Sequence, residues 1–337
     1  MGALTRQPDA GDMPALRHIW KTVFAGDDDE VFFDMLYDPG MCVAAWHGGA
    51  LAAAGYLLPT GRFVCGGNSY PCAMIYAVAT LPGYRGLGFG SAITRSLISL
   101  GRAAGYPAIV LRPATDSLFE YYSKRTEMKD WFYAVERRFE KPPGATSTPA
   151  SGYENRWAEK EGVEPSQASI PKRGHGTGPG KIGVKEYIRL RESLLGGLPH
   201  IEPDQLIVEY QGLLCRKYGG GLYKAETPGG TSCAVVEPDR DGTVWIKELL
   251  APGGGEDDAL AAILSAFPAK SYIVRTPARL NDSGPQLAAQ PQDSSAFRFP
   301  HSATSGFARF GMLAAPRALF SSENAEKAAP WYGLALD

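Results

Sequence analysis

The run Arg85-Gly86-Leu87-Gly88-Phe89-Gly90-Ser91 is the part of this chain best suited to chemistry. Glycines at alternate positions remove each Cβ that would hold a bulky anion off the backbone, and they permit positive φ where a tight turn needs it. Ile93, Leu97, Leu100 and Ala104 follow at helical spacing, so the amides of the turn and of Phe89 to Ser91 converge on one point with the helix dipole behind them. Such a turn cradles a pyrophosphate. Arg85 adds a permanent charge and a donor fork at the rim.

The elements that must position this turn are legible on either side of it. Asp12 is expected to cap a helix through Phe24 with Leu16, Ile19, Trp20 and Phe24 on one face, and a shorter helix is expected near Glu30 to Leu36. Apolar runs near Cys42 to Trp46, Leu51 to Leu58 and Tyr70 to Thr80, separated by Gly48-Gly49 and Gly66-Gly67-Asn68, predict an antiparallel meander that leads into the turn. A strand over Ala108 to Arg112 and a helix from Ser117 to Lys124 then complete a crossover.

From Lys141 to Lys181, Pro, Gly, Ser and charged residues displace apolar periodicity, and the segment reads as a linker. Beyond it the order recurs. Helices are expected near Val184 to Leu195 and Pro203 to Tyr218, strands over Leu222 to Glu226, Cys233 to Glu237 and Val244 to Leu250, then a helix Asp257 to Phe267 and a strand Tyr272 to Thr276. IYAVATLPGYRGLGFGSAI and VWIKELLAPGGGEDDALAAIL align as two strand, Gly-rich turn, helix units, which predicts an internal duplication. The division is therefore 1–140, linker 141–181, and 182–337, within the room that 337 residues give at roughly 100 to 200 per domain.

The first segment resembles a known family. AVATLPGYRGLGFGSAI is similar to the acetyl-CoA-binding motif of the Gcn5-related N-acetyltransferases, in which Gln or Arg is followed by two residues, Gly, one residue, and Gly or Ala. Arg85, Gly88 and Gly90 match that motif. The resemblance implies an α/β fold with a mixed, largely antiparallel sheet flanked by helices, the acyl-CoA N-acyltransferase fold, here duplicated with a degenerate second copy. It implies acetyl-CoA as cosubstrate, no metal, and a small-molecule or peptide amine as acceptor. It also implies that Val78, Ala79 and Thr80 offer backbone groups to the pantetheine arm, while Gly86, Leu87, Gly88, Phe89, Gly90 and Ser91 hold the pyrophosphate. In SLFEYYSKR the family's Tyr-x-Lys pattern falls on Tyr122-Ser123-Lys124, which implies Tyr122 as the acid that protonates the departing thiolate. A phenol of pKa about 10 keeps its proton at neutral pH. Thr115 occupies the place of a coenzyme-touching Asn. Relatives that carry a Glu or Asp on the strand before the turn differ from this chain, which has Cys72-Ala73-Met74-Ile75-Tyr76 there. The carboxylate of Asp337, at the end of the apolar run WYGLALD, is a candidate base through resemblance to the multi-domain aminoglycoside-acetylating branch.

Other readings are narrower. Gly86, Gly88 and Ser91 nearly trace the G-x-G-x-x-G of a dinucleotide-dependent oxidoreductase, but the third glycine is Ser91 and three antiparallel strands precede the turn. An acyl-CoA-binding pseudoenzyme or sensor fits the missing strand acid. The formal net charge of -2 gives no pull on nucleic acid or membrane. Cys42, Cys65, Cys72, Cys215 and Cys233 have no metal spacing and read as buried thiols of a cytoplasmic protein. The five histidines have no carboxylate at recognisable spacing and read as surface or interface residues. Asp27-Asp28-Asp29-Glu30 is either a lure for a cationic amine or a solvated helix start. The turn Ala251 to Asp258 lacks the arginine and carries three carboxylates at a helix start, which suit the dipole but repel a pyrophosphate. The second segment is accordingly expected to close the acceptor site without binding coenzyme, and segment 1–140 to bind acetyl-CoA alone.

Overall fold

Apolar alternation and glycine turns fold the first half close to these expectations. The computed structural model describes residues 4–24, 28–140, 178–278, 304–316 and 330–333. A short strand, β1 (Leu4–Arg6), precedes α1 (Met13–Phe24) and α2 (Asp29–Met35), and the meander follows as β2 (Cys42–His47), β3 (Ala50–Cys65) and β4 (Asn68–Thr80). Then come α3 (Phe89–Ala103), β5 (Ala108–Leu111), α4 (Asp116–Arg125) and β6 (Lys129–Glu140). One start differs from expectation. Asp9, not Asp12, is the cap, accepting from the Gly11 amide at 2.9 Å, while the Asp12 carboxylate reaches back to the Asp9 amide at 3.0 Å. This reciprocal capping box sets a 3-10 turn ahead of α1.

The second half contains β7 (Gly180–Lys181), α5 (Val184–Leu195), β8 (His200–Pro203), α6 (Gln205–Lys217), β9 (Gly221–Thr227), β10 (Gly230–Pro238), β11 (Thr243–Leu250), α7 (Glu256–Ala266), β12 (Ser271–Pro277) and β13 (Thr304–Ala314). The described strands form one sheet in the order β1-β2-β3-β4-β5-β13-β6-β12-β11-β10-β9-β7, with β8 on β3. Among the described strand pairs only β4 with β5 and β11 with β12 are parallel, besides the single parallel bridge of His200 with Trp331, so the sheet is mixed and largely antiparallel.

The order β2-β3-β4-α3-β5 returns as β9-β10-β11-α7-β12, but the closing strands are exchanged. β13 lies beside β5, pairing Met312 to Ala314 with Leu111 to Ile109, and β6 lies beside β12, pairing Glu140 to Ala134 with Ser271 to Pro277. β6 and β13 pair with each other at the centre. The sheet therefore runs without a break across the segments assigned as 1–140 and 182–337. Of the expected linker, residues 141–177 lie outside the described residues, and its end, Gly180–Lys181, pairs with β9.

Alternation along the strands divides the core between two faces. Ile75, Ile109 and Leu111 meet Phe89, Ile93, Leu97, Phe119 and Tyr122 under α3 and α4. Met74, one residue along from Ile75, joins Trp20, Phe32, Tyr56, Tyr210 and Cys215 under α1, α2 and α6. On this second face Trp331 anchors the C-terminal segment, its amide donating to Pro199 O at 2.8 Å and its carbonyl accepting from the Ile201 amide at 3.1 Å. The Trp331 indole, the Tyr187 hydroxyl and Arg191 Nε all donate to the Glu248 carboxylate, and all four side chains are fully buried.

Candidate active site

β4 and β5 pair only from Cys72–Ile75 to Ala108–Leu111 and then part. The cause lies in β4. Three steps separate Tyr76 from Ala79 where two separate Tyr56 from Ala54 on β3, and the extra residue is absorbed by Ala77 at φ 49°. Such a bulge bends its strand and strengthens the twist. Val78, Ala79 and Thr80 lie past the bulge. Ala79 and Thr80 keep their pairing to Ala54 and Ala53, and among the described residues no strand pairs with the three on the β5 side. Backbone donors and acceptors are thus presented to the gap where the resemblance places a pantetheine arm.

The turn beyond β4 has the expected form. Pro82–Tyr84 make one 3-10 turn, Gly86 and Gly88 take φ of 83° and 84°, and Gly88 is the N-cap of α3 with no side chain capping it. A Cβ on either glycine would meet nothing within 4 Å, so the space beside both is open. The first amide closed by the helix is that of Ala92, on Gly88 O at 3.1 Å, which leaves the amides before it directed outward. Arg85 is exposed and folds back, its Nε donating to Thr80 O at 3.3 Å.

A cavity of about 420 Å³ passes through the gap from one face of the sheet to the other. On the α3–α4 side it is lined by Ile75, Leu111, Leu118 and Tyr122, and on the α1–α6 side by Trp20, Phe24, Tyr210, Leu214 and Tyr218. Of the two adjacent tyrosines on α4, Tyr122 borders this cavity, whereas the Tyr121 hydroxyl stands against Gly90, where a Cβ would come within 3.0 Å of it. Burial pushes the Tyr122 phenol above its ordinary range, with Tyr121 adding to the effect and the neighbouring Thr94 hydroxyl opposing it. Thr115 stands exposed at the N-cap of α4 with its hydroxyl 3.0 Å from that of Ser117, beside the cavity residue Ala114. Asp337 lies outside the described residues.

The α1–α6 side of the cavity holds charged groups that sequence reasoning did not single out. Glu237 of β10 and Lys247 of β11 border the cavity and pair at 3.2 Å. Gln211 Nε2 and the Cys215 thiol also donate to the Glu237 carboxylate, each at 3.4 Å. Burial, and then Glu237, push the Cys215 thiol up to about 12, so it remains a protonated donor. Lys247 and Glu248 break an otherwise apolar strand, VWIKELL, and that was the available signal. The acidic run at the start of α2 divides its roles. Asp28 borders the cavity and pairs with Lys217 at 2.7 Å, while Asp29 is buried against Arg17 and Lys21; Asp27 lies outside the described residues. One histidine departs from expectation. His200 is buried, with Nε2 at 2.7 Å from Glu192 Oε2 eight residues earlier, because α5 and the following turn fold back on β8.

Residues 5–126 match the family model of the acetyltransferase (GNAT) domain. The match spans the segment from β1 to α4 that carries the glycine turn and Tyr122. No curated protein sequence matches it. Solved structures share the fold at low identity. A GCN5-related N-acetyltransferase from Kribbella flavida aligns at 15% identity and TM-score 0.57, covering 93% of this chain and 70% of its own. Eis1 from Mycobacterium abscessus aligns at 14% and 0.56, covering 94% and 74%. An acetyltransferase from Pyrococcus horikoshii aligns at 12% and 0.53, covering 99% and 96%.

The glycine turn of the first half has a differently charged counterpart in the second. There, Arg137 of β6 pairs with Asp257 at 3.3 Å and Glu256 at 3.7 Å at the start of α7. A Cβ on Gly255 would come within 3.8 Å of the Gly229 backbone, and one on Gly230 within 3.0 Å of Pro252. Gly253 and Gly254 of the second turn are open like Gly86 and Gly88, so what sets the second turn apart is its carboxylates and the Arg137 that answers them.

Proposed function

We propose that this GNAT protein transfers the acetyl group of acetyl-CoA directly to an amine. The observation that carries the reading is one cavity bordered both by the parted strands β4 and β5 and by Tyr122, with the open glycine turn at the end of β4. Val78, Ala79 and Thr80 hold the pantetheine arm through their backbone. The amides from Gly86 to Ser91 hold the pyrophosphate at the positive end of α3, with Arg85 leaving Thr80 O to meet it and Thr115 at the rim. The amine reaches the thioester from the α1–α6 side.

The acceptor arrives as an ammonium and must lose one proton before its nitrogen can attack. The nitrogen then bonds to the thioester carbon, the C–S bond breaks with its electron pair on sulfur, and the nitrogen gives up a second proton. One of the two protons ends on the coenzyme thiol and the other in solution. Tyr122, kept un-ionised by burial, donates to the departing sulfur. On β4 the residues Cys72 to Tyr76 include no carboxylate, so the first proton goes to cavity water or to the carboxylate of Asp337. The second half serves as the wall of the acceptor site and binds no coenzyme.

The test is calorimetric titration of the full-length protein with acetyl-CoA, followed by detection of free thiol with a panel of amines, amino acids and short peptides. Absence of acetyl-CoA binding refutes the coenzyme site. Tight binding without thiol release from any acceptor favours a sensor.

A further inference from the structure

We propose that Arg309, which β13 brings in from the second half, is the positioning residue that sets α4, and with it Tyr122, against the cavity. This rests on the acetyl-transfer reading, in which Tyr122 donates to the departing sulfur. In the sheet β13 lies between β5 and β6, and α4 is the connection from one of those strands to the other. The helix therefore crosses over β13, and Met312 and Ala314 of that strand join Phe119 and Tyr122 in one buried cluster.

From β13 the Arg309 side chain meets the N-terminal half of α4 as a fork. Its Nη2 donates to the Asp116 carbonyl at 3.4 Å and to the Asp116 carboxylate at 3.3 Å, and its Nη1 donates to Glu120 Oε1 at 3.1 Å. Its guanidinium also lies over the Phe119 ring at 4.8 Å. Nη1 reaches Asp130 Oδ2 at 3.3 Å as well, at the start of β6. One planar group thus ties two turns of the helix to the strand that follows it, which a point charge on a flexible stem cannot do.

The helix needs this hold at that end. Thr115, its N-cap, makes no side-chain capping bond, so the first-turn amides gain nothing from it. The other end is held by the first half itself: Arg95 of α3 donates to Arg125 O at 2.8 Å, and Thr126 Oγ1 donates to Tyr122 O at 2.7 Å. Released at its N-terminus, α4 would pivot about its C-terminal end. Phe119 and Tyr122 lie three residues apart on the buried face, so a shift that lifts Phe119 also turns Tyr122. A reacting group misplaced by about an ångström costs up to roughly a hundredfold in rate. The ion pairs themselves are part-exposed and add little to global stability.

The experiment compares the full-length parent with Arg309→Met and Arg309→Lys, each alone and combined with Tyr122→Phe. Arg309→Met should melt close to the parent. Its backbone hydrogen exchange should become at least about threefold faster across α4 and stay unchanged in α3. Thiol release from acetyl-CoA, with whichever amine of the panel reacts fastest, should fall about tenfold in kcat while KM for acetyl-CoA stays within about twofold. Arg309→Lys keeps the charge without the fork and should recover part of that loss. In the Tyr122→Phe background Arg309→Met should change kcat by less than about twofold, because its effect passes through the phenol. Equal losses in both backgrounds overturn the proposal, as does unchanged exchange across α4. If Arg309→Met does not fold, Arg309→Lys carries the same comparisons with smaller losses. If Tyr122→Phe turns over like the parent, or no amine releases thiol, the transfer reading fails. Faster exchange confined to α4 would then still sustain the hold of Arg309 on the helix, and unchanged exchange would refute it.

Discussion

Gly88→Val tests the coenzyme cradle where it is most exposed to a single side chain. Gly88 has φ 84° and caps α3, and no neighbour lies within 4 Å of a Cβ built there. The fold therefore resists the substitution only through left-handed backbone strain, about 1–2 kcal/mol. The coenzyme should resist it far more, because the new side chain fills the space the phosphates need and holds them off the amides. Losing two hydrogen bonds to a charged group, at about 1.5–3 kcal/mol each, weakens binding by at least roughly a hundredfold. Gly105→Val is the matched control. Gly105 has φ 88°, the same open surroundings, and a place past the other end of α3, roughly 25 Å away at 1.5 Å per residue. Both variants should lose similar stability in urea titrations, and only Gly88→Val should lose acetyl-CoA in calorimetry. A folded Gly88→Val protein binding within threefold of the parent would refute the cradle, as would an equal loss in Gly105→Val.

Tyr122→Phe should lower turnover by about a hundredfold while leaving acetyl-CoA affinity within a few fold. Burial raises the phenol's pKa above 10, so its protonated form persists to higher pH than usual, and the parent rate should show no fall from this group between pH 7 and 10. Titration should give one coenzyme per chain, since Glu256, Asp257 and Asp258 put three carboxylates at the start of α7; two would refute that account. Glu248→Ala strips Arg191, Tyr187 and Trp331 of their common acceptor and should cost about 3–5 kcal/mol in urea unfolding, whereas a change under 1 kcal/mol would show the network to be slack. Segment 1–140 should fail to fold alone, contrary to the expectation from sequence, because both neighbours of β6 and the outer neighbour of β5 come from residues beyond 270. A cooperative melt of that segment would refute this.

The parts of the fold that could be read from the sequence are those whose burial is local. β3, β4 and β11 are apolar runs between glycine turns, and the RGLGFGS turn announces itself because glycine spacing has few other uses. β6 escaped detection for a physical reason. KDWFYAVERRFE carries charges throughout, and two of them find partners in the other half: Glu136 with Arg275 at 3.0 Å, Arg137 with Asp257 and Glu256. A strand whose polar residues are matched across the fold looks like solvated surface in sequence. β13 was hidden by its distance, since its partners β5 and β6 lie more than 160 residues earlier. The glycine turn beside the cavity was legible because one turn and one helix build it. The far wall of the cavity was not, because Glu237 and Lys247 join it only when β10 and β11 are set across from β4.

The exchanged strands also explain how a degenerate copy remains tied to the site. β13 touches β5 through Leu111 at the mouth of the gap, and β6 touches β12, the parallel neighbour of β11. A two-strand hub, β6 with β13, thus fixes the distance between the parted ends of β4–β5 and the strand that carries Lys247. Packed sheets resist continuous deformation, so the acceptor wall is held at one spacing from the coenzyme gap. In two halves joined only by a chain segment, that spacing would vary with the segment, and a nitrogen misplaced by an ångström loses much of the benefit of orientation. On the proposed reading, the strands of the second half thus set the geometry in which the first half meets its acceptor.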